Sequence, residues 1–169
     1  MKIVIDIGAA RYGGDYSIER LVEEFHPDVL YAFDPNPALT KKPPGQCEGF
    51  RVGDTVVFAE RIAAWTFQGE MGYREDGLNS WLTDDPKAPK VECFDLAEFI
   101  RKRDDGTEII LKIDAEGAEY ELLEHLIETR TDERLSLAWV EWHDGVNDHL
   151  GRRMFIEDQI RCPLDEWRW

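Results

Sequence analysis

The sequence has little of what marks a secreted, membrane-bound or nucleic-acid-binding protein. Its 169 residues hold three cysteines, Cys47, Cys93 and Cys162. Odd in number and far apart, they support neither a disulfide framework nor a paired-thiol metal site, and they read as reduced thiols of a cytoplasmic protein. No apolar run approaches the ~20 residues that cross a bilayer. The apolar start of MKIVIDIGAA stops at Asp6, too soon for a signal-peptide core. Basic residues are scarce: 20 lysines and arginines against 36 aspartates and glutamates leave a formal net charge of −16. Nucleic acid is held largely through phosphate contacts to basic side chains, so neither nucleic acid nor an anionic membrane surface is an expected partner. Small neutral or cationic ligands are the class left open. Also missing are the GxGxxG dinucleotide fingerprint, the GxxxxGK[ST] phosphate loop, internal repeats and any linker-like tract. Residues 1–169 are therefore expected to form one domain.

What is present is alternation. A hydrophobic share of 43% and a charged share of 33% suit an ordinary cored chain. Residues 2–7 (KIVIDI) and 29–33 (VLYAF) read as strands buried on both faces. Between them Ile18, Leu21, Val22 and Phe25 recur at helical spacing from Tyr16, until Pro27 stops the helix. Residues 37–49 carry three prolines and two glycines and read as a loop. Further strand material follows at 55–67, and a hairpin with a loop at 68–90. Residues 94–103 (FDLAEFIRKR) suit a short helix with Asp95 near its start. A strand at 108–113, a helix at 117–129, a strand at 135–142 and a helix near 150–160 complete the order before PLDEWRW. Strand–helix–strand crossovers are parallel and right-handed, so the pattern predicts an α/β sandwich with helices on both faces of a mostly parallel sheet. Ligands in such sheets bind beyond the carboxyl ends of the strands, and there the acids and glycines cluster.

Four segments carry the chemistry. In VIDIGAARYGGDYS (4–17), Gly8 follows a strand and allows a ligand close to the backbone, and a helix begins near Asp15 to Ser17. In LYAFDPNP (30–37), Asp34 ends the second strand, where an acid can accept from both hydroxyls of a ribose; the same residues are also strong turn formers. In LKIDAEGAEYELLE (111–124), Asp114 and Glu116 fall at a strand end and Gly117 opens a helix. Glu119 and Glu121 read as helix-start and solvated-face charge, favoured there by the helix dipole. In WVEWHDG (139–145), Glu141 and His143 stand two apart on a strand and share a face. His143 is the side chain suited to taking a proton near neutral pH; His26, His125 and His149 lack such a position. Asp114, Glu116 and Glu141 could hold a divalent metal, but no ligand spacing compels one and a metal-free site is favoured. Trp81 and Trp142 could stack on a sugar ring.

VIDIGAA, YAFDPNP, LKIDAEGAEYELL and VEWH, in that order, resemble the motifs of the FkbM-type S-adenosylmethionine-dependent methyltransferase family over residues 3–143. LKIDAEGAE is the most specific of them. The resemblance implies a Rossmann-like class I methyltransferase fold, a three-layer sandwich, with S-adenosylmethionine as cofactor and S-adenosylhomocysteine as product. It also implies O-methylation of a hydroxyl on a sugar, glycan or natural product. Carried over by position, Asp6, Gly8 and Ala9 would line the methionine end of the cofactor and Asp34 would hold the ribose. Ile62, Ala63 and Ala64 would sit near the adenine, and Asp114 and Glu116 would face the methyl-transfer centre. Asn79, Ser80 and Trp81 fall in the family's polar segment, on the substrate side with Glu141 and Trp142. Proton removal is assigned to His143, with Asp114 as the alternative. Three departures stand out: Asp34 replaces the usual Glu, the first loop is two residues longer with Gly13 and Gly14 displaced, and only one helix and one strand fit after VEWH. The last implies a sandwich truncated at its C-terminal end, without a lid. Such a core suits a large or exposed acceptor, or a site completed by a second copy in a homo-oligomer. The competing expectation is a catalytically inactive S-adenosylmethionine- or nucleotide-binding module of the same fold.

Overall fold

Apolar runs without polar alternation must be buried on both faces, and the chain sets three of them side by side. The computed structural model describes residues 1–9, 17–76, 79–143 and 149–168, the side chains of residues 76 and 79 excepted. The elements in order are β1 (Lys2–Ile7), α1 (Ser17–Phe25), β2 (Val29–Phe33), β3 (Glu48–Val52), β4 (Thr55–Glu60), β5 (Ala63–Trp65), β6 (Gly69–Asp76) and β7 (Asn79–Thr83). Then come β8 (Lys90–Asp95), α2 (Leu96–Arg101), β9 (Glu108–Ile113), α3 (Glu119–Glu128), a 3-10 turn (Asp132–Arg134), β10 (Leu137–Val140), α4 (His149–Gln159) and β11 (Leu164–Glu166). Seven strands form a central sheet in the order β11-β10-β9-β1-β2-β4-β3. All of its neighbouring strands are parallel except β3 and β4. A second sheet, β5-β8-β6-β7, has β6 antiparallel to both neighbours.

The period of two along a strand divides the core. Ile3, Ile5 and Ile7 of β1, with Ile109, Leu111 and Ile113 of β9, face α2, α3 and Ile156 of α4. Val4 and Ile110 point the other way, onto Ile18 and Leu21 of α1 and onto Trp167. Each such side chain contributes about 1.5–3 kcal/mol on burial. The register also fixes the site. Ile7 pairs with both Phe33 and Ile113, and Ile113 pairs with Val140. Four strands therefore end level, and Gly8, Asp34, Asp114 and Glu141 reach one edge together.

The α/β order and the mostly parallel central sheet are as expected, and α4 and β11 are the helix and strand foreseen after VEWH. Several boundaries differ. The expected loop at 37–49 runs into β3, which pairs antiparallel with β4 across the Gly53-Asp54 turn. Gly53 sits at φ +57, which a glycine adopts without strain. β3 is an edge strand whose residues alternate between half-buried and exposed, so no apolar run signals it. The helix expected from residue 94 starts at Leu96, because Phe94 and Asp95 end β8. Asp95 caps that helix, its side chain accepting from Glu98 N at 2.9 Å. The strand expected over 135–142 is only Leu137–Val140, so Glu141 and His143 do not share a strand face. The long first loop with Gly13 and Gly14 lies outside the described residues. Among the described residues no helix is long and apolar enough to cross a membrane.

Candidate active site

The edge where the strands end is held by backbone contacts. Gly8 N donates to Phe33 O at 3.0 Å, and Asp114 N donates to Ile7 O at 3.0 Å. The tips of β1 and β9 come so close that a Cβ on Gly8 would stand 1.6 Å from Asp114 O, and Gly8 has φ +79. Both conditions require glycine. Beneath this edge lies Lys112, fully buried. Its ammonium is 3.0 Å from Asp6 Oδ1 and 3.5 Å from Asp114 Oδ2, and it donates to Gly8 O at 3.1 Å. Burial alone would push this ammonium down, but Asp6 and Asp114 outweigh it and hold the pKa above its ordinary value. Asp6 Oδ2 also accepts from Ser17 Oγ at 2.6 Å, tying the floor to the start of α1.

Above the edge is a cleft of about 220 Å³, bounded by Gly8, Asp34, Ala63, Asp114, Glu116 and Glu141. The second sheet closes over it with Tyr73, Ser80, Trp81 and Leu82. Asp34 is 6% exposed and accepts from Asn36 N at 2.7 Å. Burial drives its pKa from 3.8 to about 6, against the pull of that hydrogen bond. Glu116 sits at φ +49, an uncommon conformation for a residue with a side chain, and burial raises its carboxyl above the usual range.

His143 stands at the opposite end. Its Nε2 lies 3.8 Å from Asp114 Oδ1 and 3.6 Å from Glu116 Oε2. Glu119, fully buried at the start of α3, anchors it: Oε1 accepts from His143 N at 2.9 Å and lies 3.2 Å from Nδ1. The other oxygen, Oε2, accepts from Gly117 N at 2.9 Å. Burial would lower the imidazole's pKa, but the hydrogen bond and charge of Glu119, with the charges of Glu116 and Asp114, raise it from 6.5 to about 9. The surrounding carboxylates thus favour the imidazolium form. Asp114, Glu141 and His143 each offer an atom within 4.8 Å of the others, a spacing a cation could bridge. A cation bound there would have to displace the imidazole's proton.

The structure thus brings together Gly8, Asp34, Ala63, Ala64, Ser80, Trp81, Asp114, Glu116 and Glu141, with His143 beside the last group. Other expectations need correction. Asp6 is fully buried against Lys112 and does not reach the cleft. Ala9 is buried on the α1 side of the sheet. Ile62 opens onto a second, aromatic-walled cavity of about 350 Å³, beside Tyr31, Phe58 and Phe99. Trp142 packs at 5.4 Å on Tyr120, with the Arg153 guanidinium 4.9 Å from its ring, so it is occupied as a packing residue. The side chain of Asn79 lies outside the described residues. Glu121 is a surface charge paired with Arg152 at 2.7 Å, but Glu119 is the least exposed acid of the segment. Lys112, Tyr73 and Glu119 were missed. Only Lys112 had a signal, a lysine inside an apolar strand, where a charge persists only if paired.

A family model described as "Methyltransferase FkbM domain" matches residues 6–159. No curated protein and no solved structure matches the chain.

Proposed function

Because the chain belongs to the FkbM methyltransferase family, we propose that it moves a methyl group from S-adenosylmethionine to a hydroxyl oxygen of a sugar, glycan or natural product. The observation that carries this reading is the pairing, in one cleft, of a buried carboxylate at the β2 tip with a patch of acids at the β9 and β10 tips. Asp34 is an acceptor suited to a ribose diol, and Asp114, Glu116 and Glu141 suit a cation. Gly8 leaves room for a ligand against the backbone, while Pro35, Ala63 and Ala64 offer an apolar wall for a flat base. The residues present therefore fit the cofactor, which supplies an electrophilic methyl on a sulfonium.

The chain's own share of the work is positioning and proton removal. Ser80, Trp81 and Glu141 also border the cleft and would orient the acceptor. His143 would take the acceptor's proton at Nε2, the nitrogen that faces Asp114 and Glu116. The carboxylates that hold a proton on it also make it a stronger base once that proton leaves. Asp114 is the alternative acceptor for the proton. Calorimetry with S-adenosylhomocysteine, followed by transfer assays on hydroxylated acceptors, tests the proposal. Absence of binding would sink it; binding without transfer to any acceptor would reduce the protein to a binding module. His143→Ala with binding retained and turnover unchanged would remove His143 as the base.

A further inference from the structure

Tyr73 lies on β6, in the small sheet that roofs the cleft, and is 8% exposed. Its backbone is fixed on both sides. Tyr73 N donates to Pro89 O at 2.8 Å, and the residue pairs with Leu82 across the β6–β7 hairpin. The preceding Gly72 sits so close to its neighbour that a Cβ there would fall 2.5 Å from Thr83 O. The phenol is thus delivered to the cleft wall with little freedom to leave it. Yet its hydroxyl has no hydrogen-bond partner among the described residues. Ser80 and Asn36 stand at the margin of hydrogen-bonding reach and pull its pKa down weakly, but neither meets it in the geometry of a formed bond. The Asn36 Oδ1 atom is itself engaged, accepting from Ala38 N at 2.8 Å. Buried hydroxyls are almost always partnered, and one that is not calls for an explanation.

We propose that Tyr73 is a ligand-binding residue of the cleft, donating a hydrogen bond to a ribose hydroxyl that in turn donates to Asp34. The assignment rests on the methyltransferase reading above and deepens it. A ribose hydroxyl both donates and accepts, whereas an ionised Asp34 can only accept. One more group, a donor, is needed to satisfy the sugar oxygen, and Tyr73 lines the same cleft as Asp34, within reach of its charge. Burial holds the phenol above its usual range, so it keeps its proton and remains a donor at any working pH. The central sheet supplies the acceptor and the roof supplies the donor. A sugar hydroxyl bridging them would join the two sheets through the ligand.

The test is Tyr73→Phe, read in two ways. Calorimetry should show S-adenosylhomocysteine binding weakened roughly three- to tenfold, the range for one net hydrogen bond. Of the 2′-deoxy and 3′-deoxy analogues, one should lose affinity in the wild type and lose less in the variant, because its missing hydroxyl is the one Tyr73 serves. In the absence of ligand the variant should unfold at the same or a higher denaturant concentration, since it sheds an unpartnered buried group. A variant that unfolds earlier yet binds all three ligands like the wild type would make Tyr73 a packing residue and overturn the assignment. Wild-type protein that binds no S-adenosyl ligand would overturn the methyltransferase reading, and this assignment with it.

Discussion

Asp34→Asn should stabilise the unliganded protein and cripple it as a binder. Asp34 is 6% exposed, and burial raises its pKa from 3.8 to about 6. The folded value lies above the unfolded one, so between those limits the folded chain holds a proton that the unfolded chain has released. Stability therefore falls as pH rises from 3.8 to about 6 and stays low above that. A shift of about two units at ~1.4 kcal/mol each is a cost of about 3 kcal/mol at pH above 7. Asparagine has no charge to bury, and its oxygen can still accept from Asn36 N. Allowing for imperfect replacement, the variant should gain about 1–3 kcal/mol at roughly pH 7.5 and only a few tenths near pH 4. Affinity for S-adenosylhomocysteine should drop about 10- to 100-fold, because hydrogen bonds to a charged acceptor are worth about 1.5–3 kcal/mol. Urea unfolding at the two pH values, with calorimetry on the same samples, measures all three quantities. A variant less stable at pH 7.5, or equally favoured at both pH values, would refute the electrostatic account of Asp34.

Other consequences are as direct. His143 has a folded pKa of about 9 against 6.5, so its contribution of about 3 kcal/mol is full below 6.5 and is lost as pH rises through 9; His143→Gln should flatten that part of the stability profile. If His143 is the base, kcat/KM for the acceptor should keep rising up to about pH 9, whereas a plateau reached by neutral pH would remove His143 from that role. Gly8→Ala places a methyl 1.6 Å from Asp114 O and should cost more than ~4 kcal/mol, seen as insoluble or unfolded protein. Lys112→Met leaves Asp6 buried without its cation and should cost about 3–5 kcal/mol, most of it recovered when Asp6→Asn is added; a double variant no more stable than the single one would refute the pairing.

The parts of the fold legible in the sequence are those buried on both faces. KIVIDI, VLYAF and EIILKI are β1, β2 and β9 to the residue, because an uninterrupted apolar run has few places to go. β3 and β8 were not legible. β3 alternates between half-buried and exposed positions and β8 has one fully buried residue, Cys93, so pairing partners rather than composition make them strands. At the site, the acids at strand ends followed from topology alone. Glu119 did not, since an acid in the first turn of a helix looks the same whether it faces water or a neighbour. It is buried because the chain returns after β10 and lays His143 across it. Tyr73 was hidden for a related reason: its role depends on a second sheet folding over the first.

The charge at the floor of the cleft is also insulated from the medium. Dissolved ions screen charges they can approach, over about 8–10 Å at physiological ionic strength. The Lys112–Asp6 pair is 0% exposed on both sides, so added salt leaves its balance intact. The rest of the molecule carries an excess of 16 negative charges, whose mutual repulsion salt relieves. Surface pairs such as Arg130 with Glu133 weaken in exchange, but exposed pairs contribute little. Brine should thus firm the shell of this protein while leaving the buried pair beneath its strand-end edge as it was in dilute buffer.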